Sequence, residues 1–196
     1  SLYIAMEFVD GLPLSRMLRD GGPLSLPTAK GLMDQLLDVL DRLHQKGVVH
    51  RDLKPENLMV CRSEPRQFKL LDFGLALRES QTRLTQTGTV MGTLHYLPPE
   101  RILEGISSAK GDVYGAGVLF YEMVTGRNPF DGEGPLEVIQ AIVEHDCPSP
   151  DRFRSDLPSS LVQLIEAMLD RDPARRPTAR EARGSLSEVE LVPTSG

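Results

Sequence analysis

The chain contains no tryptophan and only two cysteines, Cys61 and Cys147. Two isolated thiols make neither a disulfide framework nor a metal-ligand spacing, and read most simply as unpaired thiols in a reducing compartment. No apolar run approaches the roughly 18 residues that a membrane-spanning helix requires. There is no basic excess either: the net charge of −6 argues against a nucleic-acid-binding surface, where a basic stripe is expected. No signal peptide is read at the start, since Ser1 leads directly into a strand-like segment. The absence of a starting methionine leads us to expect a piece excised from a longer protein, with membrane attachment elsewhere left open. What the chain does have is 196 residues, 40% of them hydrophobic, enough to bury one sizeable core in a single domain.

The apolar pattern predicts mostly helices. Residues 2–9 read as a short buried strand ended by Gly11 and Pro13, followed by a short helix over Leu14–Arg19 that Gly21-Gly22-Pro23 breaks. Leu32, Leu36, Leu40 and Leu43 fall three or four apart, which predicts an amphipathic helix from Pro27 to Lys46 stopped by Gly47. Short apolar runs at Val48-Val49, Leu58–Val60 and Phe68–Leu71 predict small strands. Residues 75–97 are rich in Thr, Gly and Gln without period and suit a mobile loop. A helical turn is expected at Pro98–Leu103. Gly111–Thr125 is apolar on all sides, the mark of a buried helix. Three further helices are expected near 134–144, 159–169 and 178–188, and no internal repeat is visible.

The most informative segment is His50-Arg51-Asp52-Leu53-Lys54-Pro55-Glu56-Asn57, followed fifteen residues after Asn57 by Asp72-Phe73-Gly74. Phosphoryl transfer needs a carboxylate near the attacking hydroxyl, a cation on the moving phosphate and oxygen ligands for Mg²⁺. The two motifs resemble the catalytic loop and metal-binding loop of the protein kinase family. That resemblance implies Asp52 as catalytic base, Lys54 as the cation on the γ-phosphate, and Asn57 with Asp72 as Mg²⁺ ligands. Phe73 would pack under the metal loop, and Gly74 would allow its turn. Lys54 at its position resembles serine/threonine kinases.

The rest of the chain extends the likeness. Leu84–Thr93 is similar to the activation segment of bacterial Hanks-type serine/threonine kinases, which implies phosphorylation at Thr85 or Thr87 in the intact parent, with Arg51 as the ordering cation. Gly92-Thr93, Tyr96 and Pro98-Pro99-Glu100 resemble the substrate-binding end of that segment, with Pro98 replacing the usual Ala or Ser. By the same likeness Thr93 would bridge Asp52 and Lys54, Glu100 would pair with Arg176, and Asp112 would receive backbone N–H groups of the catalytic loop. At the hinge, Met6 fits the gatekeeper. The backbone of Glu7 and Val9 would bond adenine, Asp10 would lie near the ribose, and Met59 would form the floor under the ring. Glu56 and Glu122 would favour a basic residue near the target hydroxyl.

One family feature is absent. No G-x-G-x-x-G precedes the hinge, and neither Gly21-Gly22 nor Gly115-x-Gly117 supplies one. The expectation is therefore an α+β, mainly helical fold: hinge and large lobe over residues 1–188, most of the small lobe missing, and a linker or tail over 189–196. The expected activity is ATP- and Mg²⁺-dependent phosphorylation of protein Ser/Thr hydroxyls. The expected setting is cytoplasmic, with membrane anchoring of the parent protein and self-association as a kinase dimer left open. This chain alone would be inactive. Two rivals stand beside this reading: a pseudokinase-like docking module without catalysis, and a small-molecule phosphotransferase of kinase-like fold.

Overall fold

The computed structural model describes residues 8–62, 67–71, 94–144 and 147–191. Of the strand expected over 2–9 only residues 8 and 9 are described, neither of them in a strand; of the loop expected over 75–97 only 94–97 are described, and the end of the tail, 192–196, lies outside the described residues. Helix α1 spans Leu14–Gly21 and α2 spans Leu26–Gln45. Ser25 caps α2 by accepting the Thr28 N–H, and Gly47 ends the turn beyond it with φ 71°, a left-handed conformation that glycine adopts without strain. Leu32, Leu36 and Leu40 are all buried, so the leucine stripe faces the core as its spacing predicts.

A small antiparallel sheet, ordered β1-β2-β3, follows and frames the motif loop. Its strands are β1 (Gly11–Pro13), β2 (Leu58–Cys61) and β3 (Phe68–Leu70). Leu12 pairs with Val60, and Met59 with Lys69. Two strand expectations change here. Gly11 and Pro13 do not end a strand but form one, because β2 offers its edge to them. Val48-Val49 is not a strand: the Val48 N–H donates to Leu43 O at 3.0 Å, so it closes α2 rather than joining a ladder.

The remaining helices are α3 (Pro99–Glu104), α4 (Ala109–Thr125), α5 (Pro135–Glu144), α6 (Ser159–Met168) and α7 (Ala179–Glu188). Helix α4 is buried on nearly every face and packs against α2 and α6, while α7 lies along α2. At Gly117 a Cβ would sit 2.9 Å from the Met168 Cβ, so only glycine lets α6 approach α4 this closely. Thr178 and Glu181 form a reciprocal capping box that starts α7. The chain stays packed beyond α7, for Val189 is buried and its carbonyl accepts from Lys30 Nζ. The architecture is α+β and mainly helical, with the sheet at one edge of a helical core. Among the described residues, no helix is long and apolar enough to cross a membrane.

Candidate active site

The segment His50–Asn57 hangs from the first turn of α4. Asp112 is 3% exposed, and its two carboxylate oxygens accept the His50 N–H at 2.8 Å and the Arg51 N–H at 2.9 Å. His44 Nε2, near the end of α2, meets the same carboxylate at 2.9 Å. A buried carboxylate needs such partners, since an unpaired one costs several kcal/mol, on the order of 3–5 when a partner is removed. The loop therefore rests on a fully engaged anchor.

Past this anchor the chain passes through Arg51 with φ 71°, the sole positive φ at a non-glycine among the described residues. Asp52 follows. Asn57 Nδ2 donates to the Asp52 backbone oxygen at 2.8 Å and to Oδ2 at 3.1 Å. Lys54 Nζ lies 3.2 Å from Oδ2. The Pro55–Asn57 3₁₀ turn brings Asn57 back under Asp52, and Asn57 is 5% exposed. Its amide nitrogen is committed to Asp52, so its oxygen points elsewhere. The Leu71 N–H donates to Asn57 O at 2.8 Å, which ties the end of β3 to the loop.

The structure thus brings Asp52, Lys54 and Asn57 together, with Arg51 and Asp112 beside them. Asp72, Thr85, Thr87 and Thr93 lie outside the described residues, as do Met6 and Glu7. Of the hinge candidates, Val9 is half-buried and Asp10 exposed. Asp10 O accepts the Arg62 N–H at 3.1 Å, and Met59 sits opposite Pro13 on the paired strands. Val9, Asp10 and Met59 therefore border the same sheet.

Glu100 and Arg176 form a bidentate pair, with both N···O distances at 2.8 Å. Arg176 is 1% exposed and uses its donors fully: Nε reaches Asp170 O, and the two Nη atoms also reach Lys110 O and Arg171 O. The guanidinium lies 4.8 Å from the Tyr114 ring centroid. Charge, donors and π-face are all matched.

Beside this loop runs a groove of about 350 Å³ whose lining includes Glu56, Glu122, Asp131, Asn128 and Tyr96, with Arg19 as its one arginine among the described residues. The Tyr96 hydroxyl donates to Glu122 Oε2 at 2.6 Å. Burial raises the Glu122 carboxyl above its ordinary value, and the charges of Glu56 and Asp131 push the same way against the Tyr96 bond. Burial, with Glu122 alongside, also raises the Tyr96 phenol.

Three contacts had no signal in the sequence. His44 belongs to no motif there, yet it reaches Asp112 across 68 positions. Tyr96 reaches Glu122, and Arg101 Nη1 donates to Arg51 O. Burial holds the Arg101 guanidinium below its usual range, with Asp52 and Asp112 opposing and Arg51 reinforcing that shift.

Residues 1–185 match the protein kinase domain family. The chain is 40% identical over 174 residues to the serine/threonine-protein kinase PknA of Mycobacterium tuberculosis, covering 89% of this chain and 39% of PknA. It is 35% identical over 174 residues to the serine/threonine-protein kinase PrkC of Bacillus subtilis, covering 89% of this chain and 26% of PrkC. The crystal structure of Rad53 1–466 in complex with AMP-PNP superposes with a TM-score of 0.76 at 29% identity, over 92% of this chain and 45% of that one. The chain therefore spans about a quarter to two fifths of the two bacterial kinases and under half of the Rad53 chain.

Proposed function

The chain belongs to the protein kinase family, with bacterial Hanks-type serine/threonine kinases among its relatives, and from that membership we propose that it carries the phosphoryl-transfer machinery of such a kinase. The observation that carries the reading is the Asp52 carboxylate, held between the Asn57 amide and the Lys54 ammonium in a loop hung from Asp112. In the proposed reaction the substrate hydroxyl oxygen attacks the γ-phosphorus of ATP, its proton passes to Asp52, and ADP leaves with the bridging oxygen. Lys54 neutralises charge on the moving phosphoryl group. Asp112 and the Glu100–Arg176 pair hold the loop and the neighbouring α3 still.

The donor set fits Mg²⁺, which takes hard oxygen ligands and few of them from protein. Asn57, with its amide nitrogen turned to Asp52, and Asp72 would hold the ion, which would screen charge on the phosphate oxygens. Leu71, one peptide bond before Asp72, is hydrogen-bonded to Asn57, which supports this pairing. ATP would lie along Val9, Asp10 and Met59, with Met6 and Glu7 preceding them. The acidic groove of Glu56 and Glu122 favours protein substrates with a basic residue near the target hydroxyl. Thr85 and Thr87 are the proposed phosphorylation sites, with Thr93 linking Asp52 and Lys54.

Residues 1–196 hold no glycine-rich loop and no small-lobe strand lysine to grip the α- and β-phosphates. Positioning and charge stabilisation are most of what a kinase contributes to rate, so these residues alone should transfer no measurable phosphate. Phe8 is 87% exposed, and apolar surface of this kind, left uncovered without a small lobe, should make the isolated chain self-associate. The test is Mg-ATP-dependent phosphorylation of a basic protein substrate by this chain and by a kinase domain in which a small lobe precedes it. Transfer by the second but not the first is expected. Transfer by neither would leave the docking-module reading in its place.

A further inference from the structure

We propose that Arg101 is a positioning residue for the catalytic loop: its guanidinium holds the peptide plane between Arg51 and Asp52 and thereby aims the Asp52 carboxylate. The proposal rests on the reading of Asp52 as the base. It starts from the backbone at Arg51, whose φ of 71° is sterically disfavoured for a residue with a Cβ. Such a conformation persists only where its surroundings over-determine it.

Those surroundings act on two different peptide planes. Asp112 takes the N–H groups of His50 and Arg51, and so fixes the chain entering Arg51. It does not restrain the plane leaving Arg51, which carries the Arg51 carbonyl and the Asp52 N–H. The N–H end of that plane meets His50 Nδ1 only at 3.4 Å, a long contact. The carbonyl end accepts from Arg101 Nη1, a charge-assisted bond and the firmer of the two. Tilting this plane changes φ at Asp52 and with it the direction of the Asp52 Cα–Cβ bond. Arg101 completes what Asp112 begins.

Arg101 is well placed to act as a fixed point. Its own N–H donates to Pro98 O at 3.0 Å in the first turn of α3, and its neighbour Glu100 is locked by the buried bidentate bond to Arg176. A path of short bonds therefore runs from Arg176 through Glu100 and α3 to Arg101, Arg51 and Asp52. Arg101 is also half-buried, and Arg51, Asp52 and Asp112 line the same small cavity with it. A half-buried guanidinium that spends a donor on a backbone carbonyl fifty positions away is more than a solvated surface cation.

Two variants and two readouts test the proposal. In a kinase domain that includes a small lobe, Arg101→Met keeps the aliphatic stem and removes the donor. It should lower kcat by roughly 10- to 100-fold, the effect of a misplaced reacting group, with KM for ATP within about twofold. Arg101→Lys restores a donor and should recover most of that loss. In residues 1–196, amide NMR should show the Asp52 N–H of Arg101→Met shifted and exchanging faster. The His50 and Arg51 amides, held by Asp112, should stay in place, with Tm unchanged. A wild-type kcat in Arg101→Met would overturn the proposal, as would an unmoved Asp52 amide or equal losses in both variants with a parallel fall in Tm. If the wild-type domain transfers no phosphate, the kinase reading fails, while the Asp52 amide still decides the Arg101 contact.

Discussion

Replacing Arg176 with methionine would separate the architectural account from the chemical one. Arg176 is 1% exposed, bonded through two nitrogens to Glu100 at 2.8 Å, and seated over Tyr114. Methionine fills much of the same space but leaves the Glu100 carboxylate, itself 7% exposed, buried without its partner. Breaking a buried pair from one side costs about 3–5 kcal/mol. For a domain of this size each kcal/mol moves Tm by roughly 2–4 °C, so a fall of about 6–20 °C is expected in thermal unfolding followed by circular dichroism. The double variant Glu100→Gln, Arg176→Met removes the stranded charge and should lose less than the sum of the two single variants. Arg183→Met is the control: its pairs with Asp34 and Asp38 are only half-buried at the surface and should be worth about 1 kcal/mol, well below a fully buried pair. An Arg176→Met fall no larger than that of Arg183→Met, or strict additivity with Glu100→Gln, would refute the reasoning.

Two further outcomes follow from the groove and the activation segment. Glu122 has its folded-state carboxyl raised, so ionising it opposes folding, and stability drains away as pH climbs from the ordinary carboxylate value through the folded one. The Tm of Glu122→Gln minus that of wild type should therefore grow between pH 4 and pH 7, while preference for basic peptides falls; a difference flat with pH would contradict the assignment. Incubating the small-lobe-bearing domain with Mg-ATP should phosphorylate Thr85 and Thr87, and the double alanine variant should turn over more slowly. Peptide mass mapping that finds phosphate only outside residues 75–93 would count against it.

The helices were legible because burial imposes a period. The leucines of α2 and the all-round apolar α4 leave little choice of element. Asp112, Glu100 and Arg176 were legible through motif likeness, and the structure brings Glu100 and Arg176 into one buried pair. Strands were harder, because a strand exists only where another chain segment offers a partner. Val48-Val49 has the right side chains and no ladder, while Gly11–Pro13 has poor ones and a ready edge in β2. His44 and Arg101 were illegible for a related reason. Their partners lie 68 and 50 positions away, and neither helical nor strand periodicity encodes a bond across that distance.

The central claim is that Asp52 takes the proton of the attacking hydroxyl, and Asp52→Asn in a kinase domain completed by a small lobe tests it most directly. Asparagine keeps the size and can still pack beside Asn57 and Lys54, but it is a far weaker base. Phosphate transfer to protein at saturating Mg-ATP should fall by about two to four orders of magnitude, the contribution of a positioned general base. The affinity for ATP should change little, because Asp52 does not hold the nucleotide. Turnover near the wild-type rate in Asp52→Asn would contradict the account.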